Sequence, residues 1–464
     1  MINLNSTATD ILRGIREGRT KAADLMEATF DRIDAANPNV NALVSVLDRA
    51  EALELAHHAD QTEPVGPLHG LPIAVKDLAN AAGFVTTMGS PLFASAKAAK
   101  SDDIMVARMR DAGAIVIGKT NTPEFGLGSH TTNPVFGPTR NPWDPTRTAG
   151  GSSGGAAVAL ATGMLALADG SDMMGSLRNP AGWTGTYGLR PSFGAVPSEP
   201  HADSFLPQLA TNGPMARTPK DLALLLSVQA GRDPRQPHHT PLDPAVPSRP
   251  SRIGWLADWE GAYPMEPGIL DVCSDAIVAL DALGHEIVPL SPGFAADALW
   301  DSWITLRSWQ VATSLAPLEA LPNGRAQLNR QAIWELDRGK AMSALEVHKA
   351  SVTRSQWFAQ AARLFEQVDV LALPTAQCWP FDVDLDWPKE IAGQSMDTYH
   401  RWMEVVVPAS LIGLPALAVP AGFGSHGVPM GLQLIGPRGS DYQLIQAAER
   451  YHESINWADM SPPL

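Results

Sequence analysis

Over the first sixty residues, apolar positions recur at helical spacing. Ile11, Leu12 and Ile15 follow Thr7 to Asp10, a stretch with the form of a capping box, and predict a first helix. Met26, Phe30 and Ile33 share one face of a second helix that Thr20 opens. Asn37-Pro38 should stop it, because the residue before a proline is biased away from helical dihedrals. Arg49 to Asp60 is a third helical stretch, and residues 1–65 together read as a helical layer packed on a core.

From Gly66 the period changes. The short apolar runs Ile73-Ala74-Val75 and Ala114-Ile115-Val116-Ile117 read as buried strands, with a helix over Asp102 to Ala112 between them. Met164 to Ala168, Ser251 to Trp255, His285 to Pro289, Val368 to Leu373 and Pro415 to Val419 read as further strands. Alternation of this kind predicts an α/β fold, a sheet covered by helices with the site built from loops at strand ends. Residues 231–252 are rich in Pro, Asp and His and read as a surface excursion, with a lid over the site left open. Residues 294–360 read as long helices carrying Trp300, Trp303, Trp309, Trp334 and Trp357. One α/β domain over 66–464, with 230–400 as its variable region, fits better than two domains divided near 240.

Composition narrows the class. The 464 residues are 45% hydrophobic and 18% charged, enough for a large packed core and unlike a disordered chain. Thirty-nine Gly and 39 Pro suit a loop-built site. A formal charge of -15, with no basic cluster, argues against nucleic acid as a partner. Two cysteines, Cys273 and Cys378, make no disulfide framework, and the polar Met1 to Arg13 does not read as a secretory signal. Apolar stretches such as Val405 to Ala421 are broken by Pro and Gly, so no membrane span is expected. These features point to a soluble, cytoplasmic protein, monomer or homodimer. The His57-His58 and His238-His239 pairs lack carboxylates or cysteines at ligand spacing, so no metal and no cofactor are expected.

The chemistry concentrates between Thr148 and Phe193, a run dense in glycine and serine. A phosphate-binding loop would need a Gly-Lys-Ser/Thr ending, which is missing. Gly150-Gly151-Ser152-Ser153-Gly154 satisfies the nucleophile-elbow pattern, but the polar turn Asn141 to Pro145 stands where that motif needs a buried strand. A flexible linker would not lead into the apolar run Ala156 to Leu160.

Gly150 to Gly155 and Gly170 to Ala181 resemble instead the two-part signature of the amidase signature family, with the serines at positions 152 and 176 at the family spacing. Gly70 to Asp77 resembles the family's lysine strand. Thr120 to Phe125 and Phe136 to Asp144 resemble its intervening segments, and Gly413 to Ala416 and Gly431 to Gly436 its C-terminal strands. The resemblance covers most of the chain and is weakest between about 230 and 400. It implies the amidase signature fold, a large mixed sheet wrapped by helices, and a Ser–cis-Ser–Lys triad. Ser176 would be the nucleophile, Ser152, after a cis peptide bond, the proton bridge, and Lys76 the base. A serine alcohol is inert until a base takes its proton, and burial beside Ile73, Ala74 and Val75 would favour the neutral lysine.

By the same resemblance, the backbone N–H groups of Met173, Met174, Gly175 and Ser176 would meet the oxyanion. Asp172 and Arg178 would fix the loop or, alternatively, bind a charged substrate. Gly126 and Gly128 would flank the pocket. The chain departs from the family pattern at Met174, where a glycine is usual, which changes pocket shape rather than chemistry. The tryptophans of 300–357 read as core packing, with the alternative that Trp300, Trp303 or Trp309 lines an apolar or aromatic leaving-group pocket. The expected activity is hydrolysis of an uncharged small molecule: an aryl or small aliphatic amide, or a related carbamate or ester. The rivals are the transferring subunit of a glutamine-dependent tRNA amidotransferase and a catalytically silent binding protein.

Overall fold

The computed structural model describes residues 3–245, 249–455, 457 and 460–463. The first helix, Ala8–Arg16, is capped by Thr7, whose hydroxyl accepts the Asp10 N–H at 3.0 Å. The second, Ala22–Val40, departs from expectation at both ends. It starts after Lys21 rather than Thr20, and it runs through Pro38 to stop at Asn41. A proline in the last turn sacrifices one backbone bond, and the actual stop is the left-handed Asn41 at φ 51°. Asn37 Oδ1 then accepts the N–H groups of Ala42 and Leu43, both at 2.9 Å, and turns the chain out of the helix. The third helix, Arg49–Gln61, is capped by Asp48.

Strands β1 (Leu43–Val44), β2 (Pro72–Lys76) and β3 (Ile115–Thr120) form a small sheet in the order β1-β3-β2. The strand, helix, strand order expected here is present, and β2 and β3 pair in parallel across the helix Ile104–Asp111. The second sheet contains β4 (Leu167–Asp172), β5 (Tyr187–Arg190), β6 (Thr211–Ala216), β7 (Arg252–Trp255), β8 (Glu286–Pro289) and β9 (Val370–Pro374). After a small hairpin of β10 (Glu390–Ile391) and β11 (Gln394–Ser395), β12 (Ala416–Phe423) and β13 (Pro429–Ile435) complete it. Its order is β4-β6-β5-β12-β13-β9-β7-β8, antiparallel from β4 to β9 and parallel beyond.

The strand expected over Met164 to Ala168 lies three residues later. Gly163, at φ 72°, and the Leu165 N–H bond to Ala159 O close the preceding helix first. The strand's second half, Gly170-Ser171-Asp172, is polar and invisible to a hydrophobic pattern.

One apolar core runs from Ile11 and Leu12 to Tyr451 and includes strands on both sides of residue 240. Over it lie the helices Ala296–Glu319, Arg330–Ala341 and Ala344–Gln367. Residues 231–245 form neither helix nor strand, and among the described residues no helix is long and apolar enough to cross a membrane.

Candidate active site

β2 and β4 come together without sharing a ladder, so side chains bridge the seam. The Lys76 N–H, at the end of β2, donates to both oxygens of Asp169 on β4, at 3.1 and 3.3 Å. The Lys76 side chain is fully buried, and its Nζ donates to Ser152 Oγ at 2.8 Å, Ser153 Oγ at 2.9 Å and Ser171 Oγ at 3.0 Å. Burial lowers this amine to about 7, opposed by the carboxylates of Asp169 and Asp172. Burial likewise pushes Asp169 up to about 6, against its hydrogen bond from the Lys76 N–H.

Ser152 and Ser153 lead into the helix Gly154–Ala161, and the Gly151–Ser152 peptide is cis. The helix can lie this close to β3 only because residue 155 is glycine. A Cβ there would stand 2.3 Å from Asn121 N and 2.5 Å from Ala42 O.

Ser176 stands in the loop between β4 and the helix Arg178–Thr184. Asp172 shapes that loop by accepting the N–H groups of Gly175 (2.9 Å) and Leu177 (3.1 Å), and two bonds from Arg178 at 3.0 and 3.1 Å. Burial pushes the Asp172 carboxyl up, but the Arg178 and Arg190 guanidiniums outweigh it and hold it well below the usual carboxylate range. Arg178 spends its remaining donors on Val406 O, Gln433 Oε1 and Ser410 Oγ. That is a scaffold arrangement, with nothing left over for a charged substrate. Asp172→Ala is expected to cost about 3–5 kcal/mol of folding stability by stranding buried cations, measurable by chemical denaturation.

The loop leaves the N–H groups of Met173, Met174 and Ser176 without a partner among the described residues. The Gly175 N–H, expected beside them, points instead to Asp172. Among the described residues Ser176 Oγ makes no hydrogen bond, and none joins it to Ser152. Both serines, with Ser171, line one cavity of about 390 Å³. Most of its remaining wall is apolar, including Leu78, Phe93, Phe125, Val311 and Met403.

The amidase family profile matches residues 24–445. The chain belongs to the amidase family. It is 32% identical over 472 residues to an acylamidase of Rhodococcus erythropolis, covering 98% of this chain and 97% of that one. It is 34% identical over 485 residues to a glutamyl-tRNA(Gln) amidotransferase subunit of Thermus thermophilus, covering 98% and 99%. Among solved structures it resembles a bacterial aryl acylamidase of the amidase signature family, with a TM-score of 0.91 at 30% identity over 98% of this chain and 97% of that one. A 6-aminohexanoate cyclic dimer hydrolase, solved with its substrate, gives 0.87 at 26% identity over 100% and 99%. The protein therefore has the amidase signature fold and is a hydrolase of that family, acting on small molecules.

In this amidase Gly126 and Gly128 both line the cavity, at φ 69° and 97°. A Cβ on Gly126 would meet Leu78 Cδ1 at 2.8 Å and approach Ser152 Oγ at 3.7 Å. The tryptophans do not take the pocket alternative. Trp300, Trp303 and Trp357 are buried, Trp309 and Trp334 half-buried, and none lines the cavity. The helix Ala296–Glu319 does reach the cavity, through Arg307, Gln310 and Val311. Residues 231–245 and 249–252 contribute nothing to that wall. Among the described residues no group of three or more His, Cys, Asp or Glu side chains is placed to hold a metal ion.

Four polar residues at or beside this site escape a reading of the sequence: Ser153, Ser171, Asp169 and Arg307. The first three lie in or beside the glycine-serine segments, where the sequence could have flagged them. Their shared partner, Lys76, is remote in sequence and reaches them only across the seam between the sheets.

Proposed function

We propose that this amidase hydrolyses an uncharged, partly aromatic amide through an acyl-enzyme on Ser176, with carbamates and esters as related substrates. The observation that carries the reading is the buried contact between Lys76 Nζ and Ser152 Oγ, 2.8 Å apart, with Ser152 in the wall of the apolar cavity that Ser176 also lines. Neutral Lys76 takes a proton from Ser152 as Ser152 takes one from Ser176, and Ser176 Oγ adds to the scissile carbonyl. The N–H groups of Met173, Met174 and Ser176 stabilise the oxyanion, while Gly175 gives its N–H to holding the loop. Collapse of the adduct expels the amine, which leaves with the proton returned through Ser152. Water then follows the same route to free the acid and restore Ser176. The relay needs Ser176 Oγ to turn toward Ser152 when substrate binds, and catalytic hydrogen bonds of this kind commonly tighten only in the complex.

A matched set of aryl amide, aryl carbamate and aryl ester tests this directly. The expected result is turnover of the amide, and stoichiometric labelling by a sulfonyl fluoride that peptide mapping assigns to Ser176. Labelling elsewhere with activity lost would overturn the nucleophile assignment. An active-looking site that neither turns over nor labels would favour the silent binding protein.

The 34% identity to an amidotransferase subunit favours glutamine as a second substrate reading. Glutamine would bring a carboxylate and an ammonium into a cavity whose one guanidinium, Arg307, is already paired with Glu335. That makes the uncharged amide the better fit, and glutaminase activity exceeding anilide hydrolysis would reverse the choice.

A further inference from the structure

The cavity wall contains one fixed cation, and its hydrogen bonding is incomplete. Arg307 is buried on the helix Ala296–Glu319 and lines the cavity. Its Nε donates to Glu335 Oε1 at 2.7 Å, its Nη2 to Tyr399 Oη at 2.8 Å, and its Nη1 to Met173 Sδ at 2.9 Å. A guanidinium has five N–H donors, so three partners leave two unmatched, and a thioether sulfur is a weak acceptor for the third. Unpaired buried donors of this strength are expensive unless something else meets them. Met173 is also a flexible side chain that a better acceptor can displace.

Charge narrows what that acceptor is. Burial pushes Glu335 up, but Arg307 and the hydrogen bonds from His400 and Ser308 together outweigh it and the carboxyl stands at about 2, so Arg307 and Glu335 form an ionised pair, neutral in sum. Ser308 Oγ and Tyr399 Oη also donate to the same carboxylate, which locks it in place. A second full anion beside Arg307 would face Glu335 with its charge already balanced. A neutral oxygen would take the free N–H groups without that repulsion. Position is set by Met173, whose N–H lies in the loop proposed to hold the oxyanion and whose sulfur touches Arg307.

We propose that Arg307 anchors a second, uncharged oxygen acceptor of the substrate, such as a ketone, amide or ether oxygen, about one methionine side chain away from the scissile carbonyl. The inference rests on the hydrolase reading and narrows it to amides or carbamates that carry such an oxygen. Arg307 is then a specificity residue that binds substrate and takes no part in the proton relay.

The test uses three anilides that differ only at one point of the acyl chain: a keto oxygen, a methylene in its place, or a carboxylate. The purified full-length enzyme should favour the ketone over the methylene compound by about 10- to 100-fold in kcat/KM, the range for a buried charged donor left unmatched by the poorer substrate. In the double variant Arg307→Met/Glu335→Gln, that ratio should fall to about threefold or less, whatever absolute rate remains. Glu335 is changed with Arg307 because removing the cation alone would bury an uncompensated carboxylate and risk unfolding. A wild-type ratio near one, or a large ratio that survives in the double variant, would overturn the proposal. Preference for the carboxylate over the ketone would overturn the neutral-acceptor class. The wild-type comparison stands alone if the variant does not fold. Failure of every anilide to turn over would instead remove the hydrolase reading beneath it, an outcome separate from equal turnover of all three.

Discussion

Ser176→Ala is expected to lower kcat/KM on an aryl amide by about 10⁴- to 10⁶-fold, the scale seen when a serine nucleophile is removed from a concerted unit. Its folding midpoint should stay within the scatter of the wild type. The second expectation follows from the geometry, since among the described residues Ser176 Oγ makes no hydrogen bond and its loss strands no partner. Asp172 and Arg178 hold the loop through backbone and guanidinium contacts that the substitution leaves alone. A steady-state assay paired with thermal unfolding separates the two effects. Wild-type turnover in the variant would return attention to Ser152 as nucleophile. An equal drop in stability and activity would make Ser176 a structural residue.

The fold is legible where burial follows a period. Ile73 to Val75 and Ile115 to Ile117 are short continuous apolar runs, and both are buried strands on either side of a helix. Boundaries are legible only where a local cap decides them. Thr7 and Asp48 cap as their residue types suggest, whereas the end of the second helix depends on Asn37 reaching Ala42 and Leu43. Polar extended backbone is hidden, which is why a hydrophobic pattern places β4 too early, at Met164.

The candidate site divides along the same line. Ser152 and Ser176 stand out because glycine-rich segments demand a reason, and Lys76 because its strand resembles the family's; both serines line one cavity, and Lys76 Nζ reaches Ser152 Oγ behind it. Ser171 and Asp169 meet Lys76 because β2 and β4 abut without pairing, a relation between segments about ninety residues apart that no local pattern encodes. The Gly175 N–H could not be assigned by spacing, since Asp172 competes for it. Arg307 lies where the family resemblance is weakest, on a helix whose tryptophans draw attention to the core-facing side.

Lys76→Met should combine a loss of activity with a gain of stability, and the two should depend on pH in opposite directions. As a base, Lys76 works only when neutral. Burial lowers it to about 7, so wild-type kcat/KM should fall about tenfold per pH unit below that value and level off above it. The variant should lose about 10³-fold or more at pH 8, and with it the acid limb.

Stability runs the other way. The ordinary lysine value is 10.5, so between about 7 and 10.5 the unfolded chain holds a proton that the folded chain has released. Stability linked to this group therefore rises with pH across that window. The cost of burying Lys76 is greatest below pH 7 and fades toward 10.5, so the advantage of the methionine variant in denaturant unfolding should be largest at pH 6 and shrink by pH 9.5. Three hydroxyls, those of Ser152, Ser153 and Ser171, lose their partner in the variant and reduce the gain at every pH, but they do not titrate and leave the slope untouched. A variant that keeps the wild-type acid limb would take Lys76 out of the mechanism. One that loses the limb but shows no pH-dependent stability difference would mean that burial does not lower the lysine, and the neutral base at Lys76 would fall with it.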